Sequence, residues 1–518
     1  MSTHFKALSS EITATLAQLR ADIPDTMRGF GQLSQAALGE GALDRKTKEL
    51  IAMAIGIAAR CDACLAFHAE ALVKLGCRRA EFEDMLAVSI YMGGGPSLMY
   101  AARALDAFEQ CGGDHLRHRK PHRPPDRTPR ACKMAGTMPA LPTKLPHTGT
   151  TIFTVMSALA AEHGAVNLGQ GFPDFEADPA LLQAVTDAMA AGHNQYPQMT
   201  GVPALRQAVA AKLNDLYGSA YDPGSDITIT AGGTQGLITA LQSCVGAGDE
   251  VVIIEPAYDS YDPAIRLAGA VPVGVPMTLD YRIDWDAVRA AITPRTRALV
   301  LNTPHNPSGR VATADDLREL AQLAEQHDLF IVSDEVYEHM VFDGAAHESV
   351  ARHLGLRERS FLVSSFGKTF HVTGWKVGFV AAPPALSAAF RRLHQYTVFT
   401  VHTPTQHALA AYLADPAPWQ GLGGFYQAKR DAFRGALEGT PLKLLPCEGT
   451  YFQTVDYRAV SDLPELEFAR WLTTEIGVAA IPLSVFYRQP QERGHVRFCF
   501  AKRDETLALA ARRLARLA

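Results

Sequence analysis

Apolar and polar residues repeat on two different periods along this chain, and the change falls near residue 110. Over residues 1–110 the apolar positions recur at helical spacing. In Thr47–Ala59 the side chains of Leu50, Ile51, Ala54, Ile55 and Ala58 share one helical face. Glu70–Leu75 and Phe82–Tyr91 continue the pattern, with breaks expected at Gly76 and at Gly93-Gly94-Gly95-Pro96. From residue 150 onward, short β-branched runs alternate with helical stretches. The predicted strands are Asp226–Thr230, Glu250–Glu255, Ala298–Asn302, Leu329–Ser333, Ser360–Ser364 and Val377–Ala381. Helical segments between them make βα units, hence a mostly parallel sheet covered by helices.

The seam, residues 111–138, has neither period. It is basic and rich in proline, as in Arg117-His-Arg-Lys-Pro-His-Arg-Pro-Pro125, and reads as an exposed flexible linker. A nucleic-acid contact there is the weaker reading, because no aromatic platform accompanies the charge. Met138 looks like a natural start, as if two chains had been fused. The predicted organisation is an all-α domain over 1–110, the linker, and an α/β unit over 139–518. Within that unit a large domain is expected over about 180–420, and a small α+β domain from 145–180 and 421–518.

Composition narrows the setting. The chain has 518 residues, 47% apolar and 20% charged, which suits globular domains. A formal charge of −5 provides no global field for nucleic acid or an anionic membrane. The longest strongly apolar stretches, such as Glu250–Glu255, are far shorter than the roughly 20 residues of a spanning helix. The N-terminus lacks the layout of a secretory signal, and most of the eight cysteines are scattered, so a reducing, cytoplasmic setting is expected.

Chemistry gathers at the carboxyl ends of the predicted strands, where such sheets bind ligands. After the first comes Ala231-Gly-Gly-Thr-Gln-Gly236 and a helix, a turn able to offer N–H groups to a phosphate at Gly233, Thr234 and Gln235. The third is followed by Asn302-Thr-Pro-His-Asn-Pro-Ser-Gly309, with a rigid turn at Asn306-Pro307. The fourth leads into Asp334-Glu-Val-Tyr337, an acid that needs a cationic partner if buried. Next stands Ser365-Phe-Gly-Lys368, with Lys376 eight residues on. A lysine so placed can join an aldehyde cofactor as a Schiff base once its pKa is lowered.

These motifs, in this order, resemble the class I/II aminotransferases, pyridoxal-phosphate enzymes of aspartate-aminotransferase-like fold (fold type I), over residues 145–518. The resemblance implies that Lys368 carries the cofactor and shuttles a proton between Cα and C4′. It implies that Asp334 pairs with the pyridine N–H, and that Tyr337 and Asn306 bond the ring's O3′. Gly233, Thr234, Ser365 and Lys376 would hold the phosphate, and Tyr258 would stack on the ring. Arg497, with the Gly171 N–H, would clamp the substrate carboxylate. Tyr196 would reach the phosphate of a neighbouring subunit, implying a homodimer. Lys376 departs from the arginine often found in relatives. The run from Gln170 to Phe175 looks nearest to the methionine and kynurenine/glutamine branch, so the expected amino donors are L-amino acids, methionine first and then aromatic amino acids or glutamine, with 2-oxo acids as acceptors. A carbon–sulfur β-lyase would use the same residues. A cofactor-dependent transcription regulator would need a basic recognition helix ahead of residue 150, and none is seen.

The helical half carries its own motif. Cys61-Asp-Ala-Cys64 lies at a helix start, with His68 one turn beyond Cys64 and Glu49 one helix earlier. No second cysteine pair has ligand spacing, so no metal is expected. Lys46–Ile51, Arg60–His68, Ala71–Gly76 and Gly93–Ser97 resemble the carboxymuconolactone decarboxylase and alkylhydroperoxidase D family. That resemblance makes Glu49, Cys61, Cys64 and His68 a thiol peroxidase relay, with Cys64 attacking and Cys61 resolving. Ala63 departs from it, since the peroxidase motif has histidine there. An assembly role for this helical domain, adding to oligomer formation, is the competing expectation.

Overall fold

The computed structural model describes residues 5–39, 41–112, 144–145 and 149–518. The expected linker lies almost wholly outside the described residues. The chain separates into two compact units, Met1–Thr137 and Met138–Ala518.

The first unit is all helical: α1 (Phe5–Asp22), α2 (Pro24–Leu38), α3 (Arg45–Ala58), α4 (Asp62–Lys74) and α5 (Arg79–Gln110). Asp44 caps α3 by accepting from the Thr47 N–H. Met53, Ile57, Leu65, Ala69, Leu72, Phe82 and Phe108 form its core, with Phe82 and Phe108 stacked at 4.3 Å. The face of α3 that turns inward matches the apolar stripe read from the sequence only in part: Leu50 and Ala54 pack partly buried against the core. Glu49, Met53, Gly56 and Ile57 are buried, whereas Ile51 and Ile55 are exposed. Gly56 decides this: a Cβ there would lie 3.2 Å from the Cys64 Cβ, so α3 meets α4 on its smallest side. The break expected at Gly93–Pro96 falls at Gly94, whose backbone is not helical and separates α5 into two helical segments. The two segments meet at a kink, because Gly94 has φ 63°, which only glycine adopts freely.

The second unit is built on a seven-stranded sheet: β1 (Ile227–Thr230), β2 (Glu250–Glu255), β3 (Val271–Pro276), β4 (Thr296–Asn302), β5 (Phe330–Asp334), β6 (Ser360–Ser365) and β7 (Gly378–Ala381). Their spatial order is β1-β7-β6-β5-β4-β2-β3. All pairings are parallel except those of β7, which runs against both β1 and β6. β3 was not expected. It carries Pro272 and Pro276 and pairs only with β2, and an edge strand tolerates missing N–H donors. One core lies on each face of the sheet: Ile229, Leu299, Ile331 and Leu362 face one way, and Val251, Val300, Val332 and Val363 the other.

A smaller sheet of β8 (Lys443–Leu444), β9 (Phe452–Asp456), β10 (Ile481–Pro482) and β11 (His495–Cys499) has the order β10-β11-β9-β8 and is antiparallel. Its core draws in Met156 and Leu168 from early in the unit, together with Phe433, Phe468 and Phe498. Among the described residues no helix is long and apolar enough to cross a membrane.

Candidate active site and thiol pair

The carboxyl ends of the parallel strands open onto a cavity of about 410 Å³. Because β7 runs in reverse, its amino end lies at the same edge, and this delivers Lys376 beside β1. Lys376 has φ 55°, a left-handed conformation that costs a non-glycine residue about 1 kcal/mol or more. In that geometry its Nζ lies against the first turn of α6 (Gly232–Cys244). A Cβ on Gly232 would sit 3.4 Å from it. The free N–H groups at Gly233 and Thr234, the Lys376 ammonium and Ser365 line one end of the cavity. Gln235 is not among them. Its side chain folds back to accept from the Ala231 N–H at 2.9 Å and lies 3.2 Å from His394 Nδ1, leaving only its backbone for the role expected of it.

At mid-sheet Asp334 ends β5, nine-tenths and more buried. Burial pushes its carboxyl up to about 6, against hydrogen bonds from the Tyr261 hydroxyl (2.6 Å) and the Val336 N–H. Tyr258 and Tyr337 line the same cavity, and burial raises both phenols above their usual range. Lys368 stands in the single turn after β6. Burial lowers its amine to about 8, and nearby Arg497 and Lys376 push the same way. Its Nζ donates to Tyr451 Oη at 2.9 Å and to the Gly171 carbonyl at 3.1 Å.

Arg497 on β11 is 1% exposed. One Nη donates to Asn306 Oδ1 at 2.6 Å, the other to the Gly169 carbonyl at 3.2 Å, and the guanidinium lies 3.8 Å over the Phe452 ring. Its buried Nε has no partner among the described residues. A buried donor of this kind is costly unless a ligand accepts from it, and a carboxylate has the matching geometry. Asn302 sets Asn306 in place, accepting from the Asn306 N–H and donating to the Asp334 carbonyl. Tyr196 also stays out of the cavity: it is 80% exposed, edge-on to Phe399.

In the helical unit Cys61 caps α4, its sulfur accepting from the Cys64 N–H at 3.2 Å, and the two cysteines form a disulfide. The buried Glu49 carboxylate lies 2.7 Å from His68 Nδ1. Among the described residues no cluster could hold a metal ion.

The family model for aminotransferase class I and II matches residues 164–514. Methionine aminotransferase of Escherichia coli is 51% identical over 382 residues, covering 73% of this chain and 99% of that protein. This chain belongs to the class I and II aminotransferases. Its likeness extends to a probable N-succinyldiaminopimelate aminotransferase of Mycobacterium tuberculosis, 43% identical, covering 71% of this chain and 96% of that one. Human kynurenine–oxoglutarate transaminase 1 is 37% identical, with 67% and 91% covered. The crystal structure of the E. coli methionine aminotransferase superposes with a TM-score of 0.72, over 73% of this chain and 100% of that one. The model for the carboxymuconolactone decarboxylase family matches residues 24–107, so the aminotransferase carries an N-terminal domain of that family.

Class I and II aminotransferases use pyridoxal 5′-phosphate, and the cavity fits it: phosphate donors at one end, a buried acid at mid-sheet and a free amine between them. Three residues that shape this aminotransferase site escaped the sequence reading. Tyr261 follows Tyr258 by three positions, a spacing that could have flagged it. Phe452 begins β9 of the smaller sheet and Tyr451 immediately precedes it, and Tyr451 meets Lys368 across 83 residues, a contact without any local signal.

Proposed function

We propose that the aminotransferase unit moves the amino group of L-methionine to a 2-oxo acid. One observation carries the substrate choice. Among the described residues, the cations lining the cavity are Lys368, Lys376 and Arg497, and each has a task, so none of these is left for a second carboxylate. The outer wall is Phe153, Phe172 and Phe452, which suits an apolar side chain such as a thioether. This reading agrees with the activity named for the E. coli relative.

Pyridoxal phosphate, when bound, supplies an aldehyde to join the amino group and a ring to take up the electron pair released at Cα. Lys376, Ser365 and the first turn of α6 hold its phosphate, and Gln235 contributes backbone only. Asp334, kept as a carboxylate, would hold the ring's N–H, while Tyr337 and Asn306 would bond O3′ and Tyr258 would cover a face. Arg497, with the Gly171 N–H, fixes the substrate carboxylate, so the Cα–H bond points in a constant direction. Lys368 Nζ would be the base that moves the proton between the substrate Cα and C4′ of the cofactor. Its depressed pKa gives it a usable neutral fraction near pH 8. The working unit is a homodimer in which the exposed Tyr196 reaches the neighbouring subunit's phosphate.

The test is the spectrum of the purified holoenzyme with L-methionine, L-aspartate and a Lys368→Ala variant. Loss of the visible band with methionine alone, and no response in the variant, upholds the reading. A persistent band with release of ammonia and a 2-oxo acid points to the β-lyase. No response to methionine overturns the substrate.

For the helical domain, the Cys61–Cys64 disulfide beside the Glu49–His68 pair favours peroxide reduction. Cys64 thiolate attacks the peroxide, the alcohol or water leaves, and Cys61 displaces water from the sulfenic acid to close the disulfide. A dithiol must then reduce it. Peroxide loss that depends on a dithiol and on Cys64 supports this; its absence leaves assembly as the domain's role.

A further inference from the structure

The segment Gly449-Thr-Tyr-Phe leads into β9, and Thr450 adopts φ 67°. The turn buries two consecutive aromatic rings at the cavity. Phe452 goes beneath Arg497, while Tyr451, with no exposure, stands edge-on to Tyr337 at 5.2 Å between ring centres. The Tyr451 hydroxyl closes a triangle: 2.6 Å to the Gly171 carbonyl and 2.9 Å to Lys368 Nζ, which is itself 3.1 Å from that carbonyl.

Counting donors fixes the directions in this triangle. A carbonyl only accepts, so the tyrosine's single proton goes to Gly171, and its oxygen must accept from the lysine. Burial raises the phenol well above its usual range, so it remains a hydroxyl. A neutral amine has two N–H bonds and one lone pair. Tyr451 Oη and the Gly171 carbonyl take both N–H bonds, and the lone pair is left facing the cavity.

We infer that Tyr451 is a positioning residue for the aminotransferase reaction: together with the Gly171 carbonyl it moors the free amine of Lys368 so that its lone pair points at the substrate Cα. Without that hydroxyl, a four-carbon side chain has several rotamers open to it, and most aim the lone pair elsewhere. Gly171 ties this mooring to substrate binding, because the same residue offers its N–H to the substrate carboxylate. The inference rests on the role proposed above for Lys368.

Tyr451→Phe keeps the ring and removes the hydroxyl, whereas Tyr451→Leu removes both. The holoenzyme of Tyr451→Phe is expected to turn over methionine about tenfold more slowly with KM little changed. Its isotope effect with α-deuterated methionine should rise, because proton transfer has become the slow step. In the apoprotein, the pH midpoint for acetylation of Lys368, read by mass spectrometry, should fall, since an acceptor that favours the ammonium is gone. Wild-type rate, isotope effect and midpoint in the Phe variant, with loss only in the Leu variant, would mean that the ring merely fills space, and would overturn the proposal. If the wild-type holoenzyme does not respond to methionine, the proposed reaction fails separately. The acetylation midpoint then decides alone, and an unchanged value in Tyr451→Phe refutes the mooring.

Discussion

Asp334 exposes a conflict between stability and function that can be measured. Its carboxyl is moved from a usual 3.8 to about 6, with burial as the largest cause. That displacement corresponds to about 3 kcal/mol by which the charged carboxylate destabilises the folded apoprotein at pH 8. Asp334→Asn removes the charge and keeps one acceptor for the Tyr261 hydroxyl. Its amide then faces the Val336 N–H, a contact already long at 3.4 Å, which trims the gain to about 2 kcal/mol. The apoprotein variant should therefore melt higher than wild type at pH 8, by about 2–5 °C in the transition of the larger unit. The sign with pH follows from the direction of the displacement. As pH falls through 6 the native carboxyl takes up its proton, the penalty shrinks, and it is gone below 3.8, where the unfolded chain is protonated too. The advantage of the variant should thus be full at pH 8 and nearly absent at pH 4. With cofactor the order reverses, because Asn cannot hold the ring's charge: the methionine half-reaction should slow at least about a hundredfold. Thermal melts of apoprotein and holoenzyme across pH 4–8 make the comparison. An apoprotein variant that melts at or below wild type at pH 8 would refute the claim that burial raises this carboxyl.

Arg497→Lys loses the planar fork and its seat over Phe452, so KM for methionine should rise about a hundredfold while cofactor affinity holds, as steady-state kinetics and cofactor titration would show. Lys376→Ala should weaken cofactor binding by about a hundredfold, read as the concentration needed to restore the visible band, because a strained residue held beside α6 has lost its charge. Gly171→Ala places a Cβ 3.0 Å from the Phe452 ring beneath the guanidinium, so KM should rise several-fold with the cofactor band intact. Cys64→Ser abolishes the disulfide and, with it, any dithiol-dependent peroxide loss, while transamination by the holoenzyme stays at the wild-type rate. A parallel fall in transamination would show that the two activities are coupled.

Much of this architecture was readable along the chain, and the reason is local. Val251–Ile254 and Phe361–Val363 are short uninterrupted apolar runs at the centres of strand-length segments, a pattern that buried parallel strands produce from their own composition. Gly233, Asn306, Asp334 and Lys368 each stand within four residues of the end of a predicted strand, which places them together at one edge of a sheet. Where the reading failed, the deciding contact lay far away in sequence. The inward face of α3 was set by how closely α4 approaches at Gly56, although Ile51 and Ile55 make the stronger stripe. An edge position let Val271–Pro276 be a strand despite two prolines. No periodicity encodes strand direction, so only the folded sheet turns β7 around and swings Lys376 to the end of α6. The same holds for the smaller sheet, which brings Arg497, Phe452 and Tyr451 across to the strand ends: hydrophobic patterning makes each sheet, but only packing one against the other brings a lysine, a tyrosine and a carbonyl within 3.1 Å.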